Sequence, residues 1–123
     1  QTLKNDFSND CPQLPKRMQA VLRYMKQNLA RKITTSQLAE VSCLSPARFY
    51  EVFRATFGVS PQAFLTHLRL KEAKRLMMQG RSLSDIAQTV GFTDQSAFTN
   101  AFSKAFNQPP AKWRKQELRT KKT

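Results

Sequence analysis

Apolar residues recur every three or four positions along the chain, and no run alternates in period two for long. That spacing predicts helices and no sheet. Leu14, Met18, Val21, Leu22, Met25 and Leu29 form one face of a first helix over about 14–29, with Arg17, Lys26 and Arg31 kept off it. Ser60-Pro61 opens a long helix that turns Phe64, Leu65, Leu68, Ala73, Leu76 and Met77 inward and ends before Gly80. A last short helix starts at Pro110 and carries Trp113. Residues 1–13 are polar and punctuated by proline, and read as a flexible leader or linker.

The remaining helices come in two copies. Thr34, Leu38, Ala39 and Leu44 recur 48 positions later as Ser82, Ile86, Ala87 and Phe92. Ser45, Phe49, Phe53, Phe57, Gly58, Pro61 and Phe64 recur 49 positions later as Asp94, Phe98, Phe102, Phe106, Asn107, Pro110 and Trp113. The offset grows by one, so a single insertion is expected in the turn Gly91–Thr93. The repeated residue types are helix punctuation. Thr34-x-x-Gln37 is a capping box, and Ser82-x-x-Asp85 resembles one. Ser45 and Asp94 can cap a second helix, with Pro46 at its first position. Gly58 and Asn107 fall where a left-handed cap is wanted. Each copy is thus a short helix, a tight turn and a longer helix, which is a helix-turn-helix. Seven helices are expected in all. A first unit covers 14–61, a linker helix 62–80, a second unit 81–117 and a basic tail 118–123.

Charge narrows the function. Twenty-one Lys and Arg face eight Asp and Glu, for a net charge of +13. A small domain this basic calls for a polyanion, with nucleic acid first and an anionic membrane surface second. No apolar run approaches the roughly 18 residues of a spanning helix, and the two cysteines, too few for a disulfide framework, fit a reducing compartment, so the cytoplasm and no membrane partner are expected. There is no apolar signal-peptide core and no initiator Met, which favours a domain excised from a longer protein.

Candidate chemistry is sparse. Cys11 and Cys43 are too few for a disulfide framework or a four-thiolate zinc site. Cys11 lies in the leader, and Cys43, inside a helical pattern, reads as a small apolar residue. His67 has no second histidine to share a metal with. There is no Gly-rich phosphate loop and no nucleophile–base set. No enzyme activity, cofactor or metal is expected.

If Phe49, Val52, Phe53 and Phe57 form the core, the second helix of the first unit turns Ala47, Tyr50, Glu51 and Arg54 outward, with Arg48 at the flank. Tyr50 can donate to phosphate or touch a thymine methyl, Glu51 can accept from a cytosine amino group, and Arg54 can meet the DNA backbone. The matching helix of the second unit buries Phe98, Ala101, Phe102 and Phe106 and presents Gln95, Ser96, Thr99, Asn100 and Lys104. Asn and Gln suit bidentate pairing with adenine. Asp94 fits a cap better than a base contact, because phosphates repel a carboxylate. Lys112 and Arg114, near the start of the last helix, would add affinity without reading sequence. From Lys112 to Lys122 six positive charges face Glu117 alone.

The stretch Leu83-Ser84-Asp85-Ile86-Ala87-Gln88-Thr89-Val90-Gly91-Phe92-Thr93-Asp94-Gln95-Ser96-Ala97-Phe98-Thr99-Asn100-Ala101-Phe102 resembles the signature of the AraC/XylS family of bacterial transcription regulators. So do Pro109-Pro110-Ala111-Lys112-Trp113-Arg114, Phe57-Gly58-Val59-Ser60-Pro61 and Leu68-Arg69-Leu70-Lys71-Glu72-Ala73. The likeness covers about 14–116. The chain departs from the family's usual pattern at Glu51, Asn100, Pro109 and Trp113. The resemblance implies an all-α fold of two helix-turn-helix units on a rigid linker helix, with two recognition helices in successive major grooves. It implies Ala47, Tyr50, Glu51, Ser96, Ala97 and Asn100 as the groove-facing set. It also implies double-stranded DNA as partner, RNA polymerase as a second partner, and an effector-binding, dimerising domain upstream, although some members consist of the DNA-binding part alone. A linker helix from Pro61 to about Gln79 would be roughly 28 Å long, enough to hold the two helices about one DNA turn apart. Since the two faces differ, one chain should bind an asymmetric operator. Two other functions stay open at this stage. One is non-specific cationic binding of nucleic acid, which needs only charge. The other is a helical protein-interaction module, which predicts no salt-dependent DNA binding.

Overall fold

The computed structural model describes residues 13–122, with side chains through Thr120. These residues form seven α-helices and no strand: α1 Leu14–Gln27, α2 Thr35–Ser42, α3 Pro46–Phe57, α4 Pro61–Met77, α5 Leu83–Thr89, α6 Gln95–Phe106 and α7 Pro110–Lys122. They divide into two compact units. The first comprises the described residues up to 28 together with 33–65, and the second 29–32 together with 66–122. The division falls inside α4, so each half of that helix is structural material for one unit. The expected linker over 62–80 is therefore shorter as a helix, at 17 residues or about 26 Å, and serves as core on both sides.

In the first unit, Thr34 closes a full capping box: its hydroxyl accepts from Gln37 N at 3.2 Å and its own N–H donates to Gln37 Oε1 at 3.0 Å. Such a cap contributes about 1 kcal/mol. The α2–α3 turn follows, with Cys43 in the left-handed region at φ 62°. Cys43 N donates to Glu40 O and Leu44 N to Ala39 O, which satisfies the carbonyls at the end of α2. Ser45 then accepts from Arg48 N at 3.2 Å, with Pro46 opening α3. Behind this frame Met18, Val21, Met25, Ile33, Leu38, Ala39, Phe49, Val52, Phe53 and Leu65 are buried.

The second unit repeats the turn and the second-helix cap, while Ser82 accepts from Asp85 N without the reciprocal bond of the Thr34 box. Gly91 N donates to Gln88 O and Phe92 N to Ala87 O, each 48 positions beyond its counterpart. Asp94 Oδ1 accepts from Ala97 N at 2.8 Å, 49 positions beyond the Ser45 cap. The extra residue is thus Thr93, between the turn and the cap. The aromatic stacks coincide too. Phe49–Phe53 at 5.7 Å and Phe53–Phe57 at 4.5 Å match Phe98–Phe102 at 5.9 Å and Phe102–Phe106 at 4.6 Å. Phe64 lies 5.6 Å from Phe53, as Trp113 lies 5.8 Å from Phe102. Around Phe98 and Phe102 are Leu70, Ala73, Leu76, Met77, Ile86, Ala87 and Val90.

Several expectations change. Arg17 is buried, whereas Leu14 is 37% exposed, so the start of α1 is rotated from the face its aliphatic spacing implied. An arginine stem is apolar enough to lie in such a place. α1 ends at Gln27, and Leu29 belongs to the segment that joins the second unit. Cys43 is an exposed left-handed cap, not a residue inside a helix. Leu70 joins the core, while Phe57, Phe64, Ala101 and Phe106 are half-buried. α7 is not short: it continues through Lys122, and most of the expected tail over 118–123 is helical. Lys, Arg, Gln and Glu are good helix formers, which carries α7 past its last packed residues. Cys11 and the leader over 1–12 lie outside the described residues.

Arg69 organises the second unit. Its Nε donates to Leu29 O at 3.1 Å and its Nη2 to Arg31 O at 3.0 Å, which ties the segment 29–32 onto α4. Gly91, at φ 101°, lies against the same carbonyl. A Cβ there would overlap Leu29 O and approach Arg69 Nε to 2.7 Å. Gly58, at φ 78°, has nothing within 4 Å of where its Cβ would be. Gly58→Ala should therefore cost only the left-handed strain, about 1–2 kcal/mol. Gly91→Ala should cost clearly more, because backbone must move. Equal urea midpoints for the two variants would show that Gly91 is not packed as described.

Candidate nucleic-acid interface

Burial of Phe49, Val52 and Phe53 fixes the rotation of α3. One helical turn carries about 3.6 residues, so Ala47, Arg48, Tyr50, Glu51 and Arg54 must point away from that core. All five are exposed, Tyr50 with 41% of its surface free. Burial of Phe98 and Phe102 fixes α6 in the same way. Gln95, Ser96, Asn100 and Lys104 are exposed there, with Ala97 and Thr99 half-buried at the flanks. The candidates on α3 and α6 thus form one surface per unit, each on the second helix of its pair, while Lys112 and Arg114 lie on α7.

The two surfaces differ in electrostatics. α3 carries two cations and a carboxylate, and Arg48 Nη1 lies 3.2 Å from Glu51 Oε1. On α6 the positions equivalent to Arg48 and Glu51 are Ala97 and Asn100, and the cation is Lys104 near the helix end. Asp94 is engaged as the cap of α6, with its carboxylate on a backbone N–H at the positive end of the helix.

Lys112 is exposed on α7, as are Lys115 and Arg119. Arg114 has different work. Its Nη1 donates to Met77 O at 3.2 Å and to Arg81 O at 2.6 Å, holding the end of α4 and the following turn. A helix end leaves carbonyls without partners, and a guanidinium is a natural donor for them. Its Nη1 is thus engaged within the second unit. Sequence reasoning did not foresee the role of Arg114 or Arg69, because each reaches carbonyls more than 30 residues away. The Arg48–Glu51 contact was visible in principle as an i, i+3 spacing of opposite charges.

Among the described residues no group of His, Cys, Asp and Glu could hold a metal ion, and no helix is long and apolar enough to cross a membrane.

Two capped helix pairs, each turning a polar second helix outward, define a helix-turn-helix DNA-binding domain. The chain belongs to the AraC/XylS family of transcription regulators: the family described as "Helix-turn-helix domain" matches residues 38–116. It is similar to the probable transcriptional regulator LumQ of Photobacterium leiognathi, at 33% identity over 91 residues, which is 73% of this chain and 37% of that one. It is similar as well to the transcriptional activator RhaS of Pectobacterium carotovorum, at 33% over 100 residues, 80% of this chain and 36% of that one. The chain therefore spans little more than a third of the length of these curated relatives. Its fold is that of an AraC-type transcriptional regulator from Chromobacterium violaceum, with a TM-score of 0.77 at 23% identity over 83% of this chain and 92% of that one. The DNA-binding domain of the global transcriptional factor AdpA, solved with a target DNA, superposes with a TM-score of 0.74 at 25% identity over 78% of this chain and 87% of that one. Sequence-specific DNA binding in transcription regulation is the function this membership carries.

Proposed function

We propose that α3 and α6 are recognition helices that enter successive major grooves of one duplex and read two unlike boxes of an asymmetric operator. The observation that carries this is the pairing of a repeated buried frame with different outward faces. The frame repeats in its caps, turns and ring stacks, so the two helices present corresponding positions. Ala47, Arg48, Tyr50 and Glu51 on one side stand against Ser96, Ala97, Thr99 and Asn100 on the other. Non-specific binding needs charge alone and gives no reason for such faces. Tyr50, Gln95 and Asn100 are assigned to base edges, Arg54, Lys104 and Lys112 to phosphates. The work is binding and not catalysis, and it takes place in the cytoplasm with the chromosome. RNA polymerase as second partner, and an effector-binding domain in the longer protein, follow from the likeness to activators of this family.

The test is binding to a duplex selected from a random pool, set against random duplex. Asn100→Ala and Tyr50→Ala should each weaken selected-site binding by about 1–3 kcal/mol and leave random-duplex binding nearly unchanged. Lys112→Ala should weaken both about equally. Equal losses on the two duplexes for all three variants would overturn the assignment.

A further inference from the structure

The molecule holds two i, i+3 ion pairs among its described residues, and they run in opposite directions. In α4, Glu72 precedes Arg75. The guanidinium grips the carboxylate through two bonds, Nε to Oε1 at 2.9 Å and Nη2 to Oε2 at 2.7 Å. That hydrogen bonding holds the Glu72 carboxyl below the usual carboxylate range. Acid before base is the order that suits a helix, whose N-terminal end favours anions.

In α3 the order is reversed. Arg48 sits in the first turn, where the helix end is positive, and Glu51 follows it. The two side chains are 57% and 72% exposed, and a pair so exposed adds little to stability. Order and exposure both argue against a stabilising role. The location does the opposite. The pair lies on the outward face of α3, beside Tyr50, in a chain of net charge +13 whose other functional surface on α6 is neutral at the corresponding positions. A carboxylate aimed at DNA is repelled by phosphates, so it belongs there only if a neighbouring cation screens it and a base donor receives it.

Both conditions can be met by one base pair. In the major groove a C·G pair presents the cytosine amino donor beside the guanine O6 and N7 acceptors. The Arg48–Glu51 contact engages Nη1 and Oε1, which leaves Nη2 to reach guanine and Oε2 to receive the cytosine amino group. We propose that Arg48 and Glu51 act as one unit that reads a C·G pair in the box facing α3, with Glu51 both a base reader and the residue that positions Arg48. This rests on the reading of α3 as a recognition helix and adds the base it recognises. It divides the operator by chemistry: a box with an obligatory C·G pair under α3, and a box read by Asn100 and Gln95, whose amides suit adenine, under α6.

The experiment selects duplexes from a random pool with the 123-residue chain and with its Glu51→Gln and Arg48→Lys variants, followed by titration on the selected and on random duplex. Circular dichroism of each variant checks that the helices are intact. Wild type should enrich one position as C·G. Glu51→Gln keeps the size but loses the charge. It should lower discrimination at that position about 10-fold to 100-fold, turn its preference toward adenine, and strengthen binding to random duplex. Arg48→Lys keeps the charge but not the fork, and should relax the same position. A Glu51→Gln site identical to the wild-type site would overturn the paired reading while leaving the recognition role of α3 standing. If wild type enriches no sequence at all, the reading of the domain as a sequence-specific binder fails, and this inference with it.

Discussion

Phe102→Ala is expected to cost about 3–5 kcal/mol of folding stability, the range for removing a fully buried aromatic ring. Phe102 is 0% exposed. It is the hub of the second unit's ring cluster, with Phe98, Phe106 and Trp113 all within 6 Å between centroids. The void would open between α6 and the first turns of α7. Phe106, next to it, lies under the Lys74 ammonium, 3.6 Å from the ring centroid. A domain of this size has only about 5–15 kcal/mol to lose, so the variant should be partly unfolded at 37 °C. Equilibrium urea unfolding followed by circular dichroism measures the loss. Asn100→Ala is the control two residues away, exposed and expected to change stability by under about 0.5 kcal/mol. A Phe102→Ala loss below about 1 kcal/mol would mean that the ring cluster is not what holds the unit together.

Affinity for DNA should fall about a thousandfold between 50 and 200 mM salt. The exposed cations described on α3, α6 and α7 are Arg48, Arg54, Lys104, Lys112, Lys115 and Arg119. Arg69 and Arg114 are set aside, since both are held by backbone carbonyls of their own unit. With Arg48 kept for the base pair, about five neutralised phosphates give a slope near −5 in log affinity against log salt. A titration across that range reads the slope directly. A slope near zero would show that the net charge of +13 does not serve DNA. Replacing Lys112 should flatten the slope by about one, and replacing Asn100 should not change it.

The parts of the fold that were legible in the sequence are those that local chemistry dictates. A cap is written within four residues, so Thr34 with Gln37, Ser45, Asp94, Gly58 and Asn107 could all be placed before any coordinates. The outward residues of α3 and α6 followed from the ring spacing, because burying every third or fourth position leaves only one face. What stayed hidden depends on distant backbone. Arg17 enters the core by its apolar stem, which periodicity counts as polar. Arg114 looks like one more basic residue until the carbonyls of Met77 and Arg81 are seen beside it. Helical spacing hides the left-handed turn at Cys43, but the repeat marks it: its counterpart at the 48-residue offset is Gly91, a residue suited to such a turn.

The doubled frame also speaks to ancestry. Two copies that share their second-helix caps, turn bonds and main ring stacks, offset by one inserted threonine, read as the descendants of a single tandem duplication. The paired rings Phe49, Phe53 and Phe57 against Phe98, Phe102 and Phe106 are the same residue type, while the outward residues of the two helices differ. Each copy can therefore change the bases it prefers without asking the other to change, so a mutation in one half of an operator needs only a matching mutation on one helix. A regulator built this way can be rewired to new promoters in half-steps, each of which leaves the other half of the contact intact.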